Sequence, residues 1–189
     1  MGTYIKTSAE IKTSSGWELA SSGLFPPAPW YHLYDAEQIE RPKYDEPFNF
    51  QSYAMFGFLA GIRNDAKCDA LSEPRGLPED ISEAALLVIV PEIGQQDTYC
   101  GWGGYELEIP DKISERISEA NPDGYAHSWL SASELIGFDY DQTFVNHRAN
   151  SPTMVSYRDF LGDSFFQHLE ALESLSQDND VRVLFCFVG

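Results

Sequence analysis

Apolar positions along the chain change period several times, and each change predicts an element. In the first twenty residues Ile5, Ile11, Trp17 and Leu19 are spaced among polar residues, and Ser14-Ser15-Gly16 interrupts them, which predicts a β-hairpin. Phe25-Pro26-Pro27-Ala28-Pro29-Trp30-Tyr31 follows. Proline fixes φ and removes backbone donors, so this stretch predicts an extended arm that lays its aromatics on the core. From 50 to 62 the period lengthens: Phe50, Ala54 and Phe58, with Met55, Leu59 and Ile62 on the adjoining stripe, predict a helix. Gly57 and Gly61 leave a smooth strip for close approach, and Arg63-Asn64-Asp65 ends the helix, with Asn64 suited to a left-handed cap.

Leu77-Pro78-Glu79-Asp80-Ile81-Ser82-Glu83 and Ile109-Pro110-Asp111-Lys112-Ile113-Ser114-Glu115 echo each other, with proline and acids placed as in a helical first turn. Between them, Ala85 to Val90 and Tyr99 to Tyr105 read as strands joined through a loop, with a short helix at 80–88 as the alternative. His127-Ser128-Trp129-Leu130 reads as a strand, and Ser131 or Ser133 caps a helix through Phe138, Ser131 having Glu134 at capping-box spacing. One helix is expected from Tyr157 to about Leu175, and Val181 to Val188, nearly all apolar, as a strand central in the sheet. The expected fold is a single α+β domain over 1–189: a mixed β-sheet with three to four helices packed against it and the C-terminal strand central. Residues 1–49 would form its hairpin and arm.

Composition adds a boundary to this picture. The net charge is −18, from 30 acidic and 12 basic residues. Such a field repels phosphate backbones and anionic lipid, so direct nucleic-acid and membrane binding are not expected. The acidic surface either keeps the protein solvated or imitates a phosphate backbone in a basic groove of another protein. The first residues, Met1-Gly2-Thr3-Tyr4-Ile5-Lys6, resemble no signal peptide, and Cys68, Cys100 and Cys186 include no C-x-x-C pair. Both features lead to an expectation of reduced thiols and a cytoplasmic location.

Five segments in order carry a resemblance: Ser52 to Asn64, Ser72 to Ser82, His127 to Leu130, Tyr157-Arg158-Asp159-Phe160-Leu161-Gly162-Asp163, and Asp180-Val181-Arg182-Val183. Together, over residues 50 to 189, they resemble a family of small uncharacterised proteins found in phage genomes and bacterial prophage regions. Against its shorter members, 84–120 looks like an insertion. The resemblance implies a phage setting, acting inside the host cytoplasm, and no mechanism.

Several motifs bear on chemistry. Asp139-Tyr140-Asp141-Gln142-Thr143 has the D-x-D-x-T spacing of haloacid-dehalogenase-like phosphatases, in which two carboxylates work with magnesium. The preceding Glu134-Leu135-Ile136-Gly137 is short and helix-like rather than a buried strand, and too little chain follows Thr143 for the rest of that fold, so the context favours a helix-terminating acidic loop. His127 beside Ser128 raises hydrolase chemistry, but no G-x-S-x-G elbow is present. His168 falls on an apolar helical face and suits a core role, while His32 and His147 have no partner at metal-ligand spacing. Gly101-Trp102-Gly103-Gly104 lacks the rest of a phosphate loop and reads as a hairpin tip exposing Trp102. Arg63, Arg75 and Arg158 are scarce cations within the family-like motifs. Converging near Trp129 or Trp102, with Asn64 and His127, they would make a cationic, aromatic ligand pocket; alternatively each neutralises a nearby acid.

These readings converge on a non-enzymatic accessory protein that interferes with a host or anti-phage defence component. It would sequester a small nucleotide-like molecule or occlude a partner protein, with no cofactor. The alternatives are a magnesium-dependent phosphoester hydrolase built on Asp139 and Asp141, and a virion or assembly protein. A homo-oligomer is compatible with either form of binding.

Overall fold

Strand β1 (Tyr4–Thr13) turns into β2 (Gly16–Leu19) where Ser14 and Ser15 interrupt the pattern. In this computed structural model, which describes residues 2–29, 42–96, 110–120, 123–148 and 151–189, the remaining elements follow in chain order. They are α1 (Tyr53–Ala60), α2 (Glu83–Ile89), α3 (Glu92–Gln96), α4 (Ile113–Ala120), β3 (Gly124–Ser131), α5 (Ala132–Ile136), β4 (Thr143–Asn146), β5 (Thr153–Ser156), α6 (Tyr157–Leu161), α7 (Asp163–Ser176) and β6 (Val181–Val188). The fold is α+β. Its main sheet has the order β2-β1-β6-β3, so the C-terminal strand is interior as expected, and every pairing within it is antiparallel. β4 and β5 form a separate hairpin.

β6 explains its own apolar sequence. Side chains alternate across a strand, and here both faces are covered. Val181, Val183, Phe185 and Phe187 enter one core with α1, α5, α6 and α7, where Phe58 meets Phe138, Tyr140, Tyr157 and Phe165. Leu184 and Cys186 enter a second core with Leu86 and Ile89 of α2 and Ile113 of α4. The described residues of the stretch read as an insertion, 84–120, therefore supply part of a layer of the fold, covering Leu184 and Cys186.

Four expectations change. Residues Glu83–Ile89 form helix α2, because Ser82 accepts the Ala85 N–H as N-cap and one face, Ala85, Leu86 and Ile89, is buried while Leu87 stays 37% exposed. The long C-terminal helix is broken at Gly162, whose φ of 75° and ψ of 171° end α6 and start α7. That region is open essentially to glycine alone. Helix α1 is shorter than 50–62 and closes at Gly61, the residue in the left-handed conformation. Asn64 is not the cap; its side chain spans the next turn, donating to the Cys68 carbonyl at 2.7 Å and accepting the Cys68 N–H at 3.1 Å. Gly57 accommodates it, since a Cβ there would lie 3.0 Å from Asn64 Oδ1. The capping box at Ser131 and Glu134 forms as the spacing predicts.

Candidate functional site

The end of the sheet where β6 begins carries charges on its second face. Glu10 of β1 lies directly opposite Arg182 of β6, and both are buried, at 0% and 3% exposure. A buried guanidinium needs its donors met. Arg182 donates from Nε to Glu10 Oε2 at 2.7 Å and through its terminal nitrogens to the Asp80 carboxylate at 2.6 Å and carbonyl at 3.1 Å. The other Glu10 oxygen accepts the Ser82 N–H at 2.7 Å, which joins this network to the start of α2. The Arg182 bonds, with Trp17 Nε1 donating to Asp80 at 3.0 Å, hold the Asp80 carboxyl below the usual carboxylate range.

Two tryptophans flank this network. The Arg182 guanidinium lies 4.1 Å from the Trp17 ring centroid and 5.9 Å from that of Trp129. Lys12 sits 5.0 Å from Trp17, its cross-strand partner, and Arg75 sits 5.2 Å from Trp129. Cations and rings therefore alternate across four strands and the neighbouring loop, each contact within cation–π range. Arg75 grips Glu134 through both terminal nitrogens, one of them at 3.1 Å. The Arg75 bond pushes the Glu134 carboxyl down to about 2, helped by Ser131 and opposed by partial burial.

Beside these residues a groove of about 540 Å³ opens between Trp17 and Trp129. Ile136 and Val181 supply its apolar lining, Ser131, Asn179 and Asp180 its polar one. Asp180 is exposed, its backbone carbonyl accepts the Lys12 N–H at 2.8 Å, and no described basic residue pairs with its carboxylate.

The predicted site residues disperse. Arg63 donates to Thr3 Oγ1 at 2.8 Å, beside the β1 end that pairs with Val188, so it lies at the opposite end of the sheet from Arg182. Arg158 is exposed, bonds Asp141 at 2.8 Å and lies 4.8 Å from the Phe166 ring. Only Arg75 reaches Trp129, so the three arginines make no shared pocket; two take carboxylate partners. Asn64 serves the turn already described, and Trp102, His32 and Cys100 lie outside the described residues.

His127 sits beside an irregularity in β3, where the register with β6 shifts between Tyr125 and Ser128. Its Nε2 is buried without a hydrogen-bond partner, and burial, with a smaller effect from Lys6, lowers its pKa. A Cβ on Gly124 would approach both this ring and Cys186 Sγ, so the histidine lies near a thiol. Burial pushes that thiol up to about 12, which leaves it protonated and inert as a nucleophile. Ser128 is 1% exposed and its Oγ accepts the Arg75 N–H at 3.1 Å. Among the described residues no hydrolase constellation forms around His127.

Asp139 Oδ1 accepts the Asp141 N–H at 3.1 Å, an Asx turn, and Asp141 is held by Arg158. Among the described residues no three His, Cys, Asp or Glu side chains are grouped as metal ligands. His168 is a core residue, 3% exposed, as its position on the apolar face implies. Its Nδ1 accepts the Phe48 N–H at 3.0 Å among Phe25, Phe48 and Phe50, and burial lowers its pKa to about 4.

Trp17, Glu10, Asp80, Asp180 and Arg182 were not singled out from sequence. One signal was present: Arg182 interrupts a strand that is otherwise apolar on both faces, and such a charge requires a buried acid. No helix among the described residues is long and apolar enough to cross a membrane. No protein-family model, no curated protein and no solved structure matches the chain.

Proposed function

We propose that this is a non-catalytic binding protein that works through the groove between Trp17 and Trp129. In the phage setting implied by its motifs, it would sequester a small nucleotide-like molecule or occlude a partner protein of the host or of its defences. The groove itself carries the reading: it combines apolar lining, two half-buried tryptophans and rigid backing from the Glu10–Arg182 network. Large aromatics held this way dominate binding energy at protein and ligand sites. Of the side chains considered for catalysis, Asp141 is paired with Arg158 and Ser128 Oγ with the Arg75 N–H.

Native mass spectrometry of the purified protein after exposure to bacterial lysate, with and without phage infection, tests it. A bound mass is expected on the wild type and not on Trp129→Ala. A small mass released on denaturation identifies a sequestered molecule, and a protein-sized mass identifies an occluded partner. An unchanged mass, or equal capture by the variant, overturns the reading.

A further inference from the structure

We infer that the groove receives a positively charged side chain from a basic segment of a partner protein, with Asp180 as its counter-ion. This deepens the reading above and rests on the groove being the binding site.

The local charges decide the sign of the occupant. A phosphate-bearing ligand would need a cation with free donors, yet the arginine that lines the groove, Arg182, is engaged by Glu10 and Asp80, and Arg75, over the Trp129 ring, is engaged by Glu134. Recruiting either one to a phosphate would strand a carboxylate, in the case of Glu10 a fully buried one. Asp180 is the opposite case. Its backbone is pinned to β1, while its exposed carboxylate has no basic partner among the described residues. It lines the same groove as the two tryptophans.

An aromatic face next to an unpaired carboxylate is the arrangement that attracts ammonium and guanidinium groups, because ring quadrupole and charge act in the same direction. The fold already demonstrates this preference, since Lys12, Arg182 and Arg75 all lie over these two rings. An incoming cation would extend that alternation outward toward Asp180, beside Asn179 in the same lining. The net charge of −18 favours encounter with a basic surface and opposes an anionic one.

Calorimetry at low salt tests this with three probes: a short capped peptide of alternating arginine and glycine, its citrulline counterpart, and ATP. The arginine peptide is expected to bind, and the neutral citrulline peptide to bind about tenfold more weakly or worse, the equivalent of about 1.4 kcal/mol. Asp180→Asn should weaken the arginine peptide by a similar factor, whereas Asp178→Asn, an equal loss of charge outside the groove lining, should change it less than about twofold. The exposed position of Asp180 keeps its variant folded, which circular dichroism checks. Equal affinity for the citrulline peptide, equal effects of the two variants, or competition by ATP would overturn the cationic occupant. If lysate capture still depends on Trp129 in that event, the groove stands and only its charge preference falls. If no probe binds and Trp129→Ala captures as much as the wild type, both fall together.

Discussion

Replacing Glu10 by alanine is expected to cost about 3 kcal/mol of stability, toward the lower end of what breaking a buried ion pair costs. The position is 0% exposed, and the change removes the acceptor of Arg182 Nε at 2.7 Å and of the Ser82 N–H at 2.7 Å. Asp80 remains to hold the guanidinium, which is why the lower end applies, but its side chain is 62% exposed and gives only partial compensation. With a urea slope of about 2 kcal/mol per molar, the unfolding midpoint should fall by roughly 1.5 M at unchanged slope. The shift should persist in about 1 M salt, because the pair is shielded from ions that screen surface charges. The double variant Glu10→Leu, Arg182→Met should recover to within roughly 1–2 kcal/mol of wild type, since the stranded charge is gone and mainly the stacking on Trp17 is lost. A Glu10→Ala midpoint shift below about 0.5 M, or a double variant as unstable as the single one, would refute the buried network.

Two further outcomes follow from the core and from the backbone. The pKa of His168 is about 4 against an ordinary 6.5, so the unfolded chain takes up a proton first as pH falls, and stability should drop progressively from about pH 6.5 to pH 4. The full difference is on the order of 3 kcal/mol at 1.36 kcal/mol per pH unit. His168→Gln should remove that slope from a pH series of urea melts, and an unchanged slope would place the acid sensitivity elsewhere. Gly162→Ala meets no atom within 4 Å of the new Cβ but must hold φ at 75°, so it should cost about 1–3 kcal/mol from backbone strain alone. A neutral melting temperature would mean that the α6–α7 junction relaxes.

Much of the secondary structure was legible because its causes are local. Ser131 and Glu134 close a capping box within one turn, and Ser14-Ser15-Gly16 turns the first hairpin between its strands. The apolar run of β6 implied a central strand, and it lies between β1 and β3; the structure adds that helices and loops cover both its faces. The reading failed where a local pattern admits two answers. Seven apolar residues from Ala84 to Val90 fit either period, and only the Ser82 cap and the one-sided burial settle them as helix. The break at Gly162 depends on a backbone conformation that the helical spacing of Phe160, Phe165 and Leu169 conceals.

The candidate site was legible only in part, as Trp129 and Arg75. By itself the sequence determined the fold class, the interior place of the last strand, the acidity, and the scarcity of cations that makes each arginine informative. Tertiary structure alone decided which arginine meets which ring. Trp17, Trp129 and Arg182 are far apart along the chain, and the register of four antiparallel strands brings them to one face. Register is set by pairing and burial over the whole sheet, a sum of long-range contacts that no short segment encodes. For the same reason Arg63 and Arg158 finish with Thr3 and Asp141, while Arg75 meets the Trp129 ring that lines the groove.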